Sequence, residues 1–93
     1  MGADRDPMQA TPHVLELFVS DHCRGCPAAR AQVGQFAARH ALTVIERNVD
    51  AERDAAARYG LCATPALVID GRTVLYGVPT QTQLAARLVA PVD

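Results

Sequence analysis

The sequence predicts a single α/β domain with the element order βαβαββα, and three observations carry that expectation. An apolar run, Val14 to Val19, leads directly into Cys23-Arg24-Gly25-Cys26 and an amphipathic stretch. A second, β-branched run ends at Val49, about 36 residues after the first begins, a size suited to a right-handed parallel βαβ unit. Further on, Asp70-Gly71 separates two short apolar runs, which is the signature of a tight hairpin.

Residues 1–12 carry Asp4, Arg5, Asp6 and two prolines without an apolar segment and read as a flexible N-terminal tail, leaving the domain to residues 13–90. Val14 to Val19 is apolar on both faces except for Glu16, as expected of a central strand covered on both sides. The helix is expected from about Arg24 to His40, with Ala29, Val33, Phe36, Ala37 and His40 at helical spacing. Pro27 falls in its first turn, where a missing N–H costs little. Leu42 to Val49 reads as the second strand. Asp50 is the expected N-cap of a short helix reaching Arg58 or Tyr59, with Gly60 as its left-handed stop. Ala66 to Ile69 is a strand, Asp70-Gly71 a two-residue turn of type I′ preference, and Arg72 to Tyr76 the return strand. Thr80 and Gln83 form a capping box for a last helix bearing Leu84 and Leu88, with Pro91 beyond it.

Ninety-three residues suffice for one modest core. Nine basic residues, all arginine, against ten acidic ones give a net charge of −1, which supplies no electrostatic case for nucleic acid or a membrane surface. No apolar run approaches the ~20 residues that span a bilayer. Without a signal-peptide pattern the expected compartment is cytoplasmic. There, three cysteines, an odd number, point to reactive or metal-binding thiols rather than a structural disulfide framework.

Two thiols separated by two residues can close a small disulfide ring, and a helix start supplies N–H groups and partial positive charge that favour a thiolate. Cys23, at the helix start, is the expected nucleophile, and Cys26, one turn further in, the expected resolving thiol. Arg24 adds positive charge beside Cys23, or is an ordinary solvated arginine. Gly25 lets a substrate backbone approach the sulfur or serves the turn. His22 is read as exposed and without a role, the alternative being a proton carrier near the thiolate. Glu16 is expected at a sheet rim or paired with an arginine; the alternative, a buried base for Cys26, is opposed by strand alternation. Cys62 reads as a small half-buried hydrophobe, the alternatives being a regulatory or intermolecular disulfide or a glutathionylation site. His13 and His40 look like tail and helix-end residues, Tyr59 and Tyr76 like packing. Cys23, Cys26, Cys62 and His22 count to four zinc ligands, but the second Cys-x-x-Cys pair usual for such sites is missing, so no metal is assigned.

The element order, Cys23-Arg24-Gly25-Cys26 after the first strand and Ala63-Thr64-Pro65-Ala66 before the third together resemble the thioredoxin/glutaredoxin superfamily over roughly His13 to Leu88. The compact order is similar to the small glutaredoxin-like thioredoxins. The resemblance implies an α/β sandwich with a central four-stranded mixed sheet and helices on both faces. It also implies a cis Thr64–Pro65 bond facing the dithiol, with Thr64, Pro65, Arg24 and Gly25 bordering the substrate. The chain departs from the family in lacking any tryptophan, in having His22 before the first cysteine, and in having Leu17 where thioredoxins bury an acid. Gly77-Val78-Pro79-Thr80-Gln81 stands where glutaredoxins carry a Gly-Gly/acidic glutathione motif. The implied activity is reduction of protein disulfides by a monomer with no bound cofactor, recharged by a dithiol reductase or a low-molecular-weight thiol. The alternatives are a protein-binding or redox-sensing module without turnover, and a zinc carrier.

Overall fold

The computed structural model describes residues 13–89; the expected tail, residue 90 and Pro91 lie outside the described residues. The elements are β1 (Val14–Val19), α1 (Cys26–His40), β2 (Thr43–Asn48), α2 (Arg53–Arg58), β3 (Ala66–Ile69), β4 (Thr73–Tyr76) and α3 (Gln81–Leu88). They form one four-stranded sheet in the order β2-β1-β3-β4. β1 runs parallel to β2 and antiparallel to β3, and β3 is antiparallel to β4. The sheet is therefore mixed, with β1 at its centre as its double-sided apolar pattern demands.

Alternation along β1 sorts the core into two layers. Leu15, Leu17 and Val19 face α1 and α3, where they join Ala29, Val33, Phe36, Leu84 and Leu88. Glu16 and Phe18 face the other way, toward α2, and Phe18 packs with Ala66 and Val68.

β2 is one residue shorter at each end than expected and β4 begins one residue later, and the starts of α1 and α2 differ from expectation for local reasons. α1 starts at Cys26 rather than near Arg24, because Gly25 takes the N-cap position and its carbonyl accepts from Ala29 N–H at 2.9 Å. The expected Asp50 cap is not formed. Asn48 organises that turn instead, its side-chain oxygen accepting from Asp50 N–H at 2.8 Å and its carbonyl from Glu52 N–H at 2.8 Å, so α2 begins only at Arg53.

The other stops follow the chain's own signals. Gly60 has φ +62, and Asp70 and Gly71 have φ +55 and +69, as a type I′ turn requires. Arg72 N–H closes that turn onto Ile69 C=O at 3.0 Å. The capping box at α3 is complete: Gln83 N–H donates to Thr80 Oγ1 at 3.0 Å and Thr80 N–H to Gln83 Oε1 at 2.9 Å. Ala41, with φ +55, ends α1 in the left-handed conformation without a glycine, a stop no residue type announced.

Candidate active site

Cys23 and Cys26 lie where the chain leaves the C-terminal end of β1 and turns into α1. Their sulfurs are joined as a disulfide, with the Cα atoms 5.4 Å apart. Cys26 is 3% exposed and belongs to the core layer under α1, whereas Cys23 is half-buried at the rim. The difference comes from the helix start: Cys26 occupies its first turn and faces inward, and Cys23 precedes the N-cap. No acidic residue lies in that first turn, so the free N–H groups there are left to favour negative charge.

Two further loops close around this turn. The Thr64–Pro65 peptide bond is cis and Pro65 is buried. Ser20 and Thr64 are joined through their hydroxyls at 2.8 Å, which ties the end of β1 to the loop before β3. Gly77 N–H donates to Pro65 C=O at 2.9 Å, fastening the loop after β4 to the same point. A Cβ on Gly25 would stand 3.2 Å from Val78 Cγ2 and 3.4 Å from Pro65 Cδ. Gly25 is thus a close-approach glycine where all three loops meet, a reason beyond the turn or substrate roles read from the sequence.

Val78 is exposed beside Gly25, and Tyr76 is exposed with its hydroxyl accepting from Cys62 N–H at 3.3 Å. Beside the Thr64 loop lies an open cleft of about 260 Å³, lined by Ser20, Val49, Leu61, Cys62 and Thr64 among others. Ser20 and Val78 were missed by sequence reasoning. Ser20 carries no motif of its own, and Val78 lay within the stretch read only for its lack of a glutathione motif.

Arg24 and His22 are both exposed on the Cys23 loop. Cys62 is exposed, not half-buried, because it lies in the loop before the third strand with its Sγ near Gly60 C=O at 3.6 Å. Tyr76 is likewise not a packing residue: it lies on β4, an edge strand, and is 50% exposed. Tyr59 does pack, edge-on to Phe18 with ring centroids 5.9 Å apart. His13 is no tail residue: its Nδ1 meets the Asp70 carboxylate, which also accepts from Val14 N–H at 2.8 Å, clamping the start of β1 to the hairpin. His40 ends α1 and stacks on Phe36 with centroids 4.2 Å apart.

Glu16, 7% exposed, is paired with an arginine and is not a base for Cys26. It faces α2, on the opposite side of the sheet from Cys26, where it accepts from Arg47 Nε at 2.7 Å and from Tyr59 OH at 2.8 Å. The Glu16 carboxylate, with burial acting in the same direction, pushes the Tyr59 hydroxyl pKa above its ordinary value. Among the described residues no cluster of three or more His, Cys, Asp or Glu side chains forms, so Cys23, Cys26, Cys62 and His22 do not converge as a zinc site. No helix of the described residues is long and apolar enough to cross a membrane.

A thioredoxin-domain family model matches residues 13–88. A thioredoxin from Methanocaldococcus jannaschii is 38% identical over 72 residues, covering 75% of this chain and 85% of that protein. A probable thioredoxin from Archaeoglobus fulgidus is 32% identical over 73 residues, covering 76% of this chain and 80% of that protein. Among solved structures, a mutant thioredoxin from Halobacterium salinarum superimposes with a TM-score of 0.74 at 25% identity, covering 89% of this chain and 77% of that one.

Proposed function

The chain belongs to the thioredoxin family, a family of thiol–disulfide oxidoreductases, and from that premise we propose that it reduces disulfides of protein substrates, with Cys23 as nucleophile and Cys26 as resolving thiol. The observation that carries the assignment is the asymmetry of the pair: Cys23 is reachable from the rim, and Cys26 is packed into the core. A Cys23 thiolate attacks one sulfur of the substrate disulfide, forms a mixed disulfide and expels a substrate thiolate. Cys26, losing its proton, then attacks Cys23 Sγ, closing the Cys23–Cys26 disulfide and expelling the second substrate thiolate. Two electrons pass to the substrate, and its two thiolates take up two protons. Thr64, Pro65, Arg24 and Gly25 border the substrate in this reading, and the Arg24 charge favours the Cys23 thiolate.

The oxidised pair is recharged by a flavoprotein dithiol reductase more efficiently than by glutathione. Glutathione binding at the start of α3 would need free backbone donors there. Thr80 and Gln83 N–H are already paired in the capping box, and Pro79 has no N–H to offer. The protein works as a cytoplasmic monomer.

Insulin reduction tests the whole reading, driven in parallel by dithiothreitol, by thioredoxin reductase with NADPH, and by glutathione with glutathione reductase. We expect turnover with the first two and little with the third. Cys23→Ser should abolish turnover, and Cys26→Ser should accumulate substrate mixed disulfides on Cys23. Absence of turnover in the wild type refutes the enzyme. Mixed disulfides trapped on Cys26 in Cys23→Ser reverse the assigned roles.

A further inference from the structure

We propose that Arg24 is a charge-selecting residue, favouring substrate disulfides flanked by carboxylates over those flanked by lysine or arginine. The proposal rests on the disulfide-reductase reading above and names a substrate class for it. It stands on how charge is distributed over the three loops that meet at Gly25.

Residues 61–65 and 76–80 contain no Asp, Glu, Lys, Arg or His. Apart from the exposed Cys62 thiol, their side chains are apolar or hydroxyl-bearing, with Tyr76 50% and Val78 43% exposed. The Cys23 loop holds the charged groups: Asp21, His22 and Arg24. Asp21 is turned toward the end of β2, where its carboxylate accepts from Asn48 Nδ2 at 2.9 Å. Arg24 stands between the two thiols in sequence, is exposed, and has no carboxylate partner among the described residues. The first turn of α1 adds no acid to offset it.

A polypeptide bringing its disulfide to Cys23 therefore meets an uncharged rim and, on the residue that follows the attacking cysteine, one exposed guanidinium without a carboxylate partner among the described residues. A carboxylate one or two residues from the substrate cysteine falls within reach of that guanidinium, which can grip it with two parallel N–H donors. A cation in the same place is repelled. Such interactions act mainly on the encounter and weaken with salt, because the pair stays open to water.

The test compares two peptides with the same intramolecular disulfide, one flanked by glutamates and one by lysines, at low ionic strength. Wild type should show a kcat/KM ratio of about three- to tenfold in favour of the acidic peptide, shrinking toward unity in 0.5 M salt. Arg24→Gln should bring the ratio near one, and Arg24→Glu should invert it. His22→Asn, a control for the neighbouring imidazole, should keep the wild-type ratio. The ratio also separates this role from a general effect of Arg24 on the Cys23 thiolate, since altered thiol acidity changes both rates alike. A ratio near one in wild type, one unchanged in Arg24→Glu, or one lost in His22→Asn but kept in Arg24→Gln overturns the proposal while leaving the reductase intact. Failure to reduce either peptide overturns both.

Discussion

The face of the sheet under α1 and α3 is sealed by eleven buried side chains, Cys26 among them. The face under α2 holds three, Phe18, Ala66 and Val68, beside a chain of directed bonds from Glu52 through Arg47 and Glu16 to Tyr59. The contrast follows from the helices. α1 has 15 residues and presents a full apolar stripe, whereas α2 has six, largely alanine, and buries none of its own. A long helix can hold its strand partners by area alone. A short one cannot, and here polar groups of fixed geometry finish the join. The redox pair leans on the first kind of contact: its inner sulfur is one of the apolar layer's own members.

Substitutions can break or sharpen this contrast. The largest loss should come from the apolar layer. Leu17→Ala leaves a cavity among residues that cannot collapse into it and should cost about 2–5 kcal/mol in urea unfolding. A loss well under 1 kcal/mol would mean that this layer is not what holds the domain together.

On the other face, Glu16→Gln removes the charge that faces Arg47 while keeping the side-chain shape. It should cost about 1–3 kcal/mol, because the Arg47 guanidinium keeps a partly buried position with a weakened partner. Insulin reduction per folded molecule should be unchanged, since Glu16 lies across the sheet from Cys26. A drop in turnover without a drop in stability would erase the functional difference between the faces.

A smaller effect belongs to the clamp at the far end of β1. Burial raises the Asp70 carboxyl pKa, but the hydrogen bonds from His13 and Val14 N–H outweigh it and leave the group below its ordinary value. A carboxyl depressed in the folded state stabilises the fold above its unfolded pKa, and that contribution is lost as pH falls through the lowered folded value. Urea midpoints should therefore fall below about pH 4 in wild type and depend less on pH there in Asp70→Asn. Identical pH profiles would show that the clamp contributes nothing.

The smallest effect is expected at Arg30, whose guanidinium reaches Glu46 with bonds of 2.7 and 3.0 Å on the surface beside the apolar layer. That hydrogen bond and the guanidinium charge outweigh desolvation and hold the Glu46 carboxyl below its usual value. Both side chains are about half exposed, however, so Arg30→Gln should cost the least of these substitutions, and less still in salt. A loss as large as that of Glu16→Gln would show that burial is not what distinguishes the two ion pairs.

Local patterns made much of the molecule legible. Every expected strand and helix is present in the expected order, since each carries its own periodicity or stop signal: the double-sided apolar run of β1, Asp70-Gly71, Gly60, and the Thr80 and Gln83 box. Local departures arise where one side chain displaces another: Asn48, not Asp50, orders the turn before α2. Cys62 and Tyr76 read as half-buried or packed, and both are exposed: Tyr76 lies on an edge strand and Cys62 in the loop before β3, placements that neighbours in sequence do not fix.

The Cys-x-x-Cys spacing and its place between a strand and a helix start were determined by the sequence alone, because both are set by neighbours within a few residues. So was the direction of Glu16, since alternation along a strand fixes which residues share a face. Only the tertiary structure decided that Glu16 would find Arg47 and Tyr59, that Ser20 would be tied to Thr64, and that Gly25, Pro65 and Val78 would meet beside the dithiol. Those contacts join segments that are distant in the chain, and they exist only because the β2-β1-β3-β4 order and its antiparallel pairings bring the end of β1, the start of β3 and the end of β4 together at one end of the sheet.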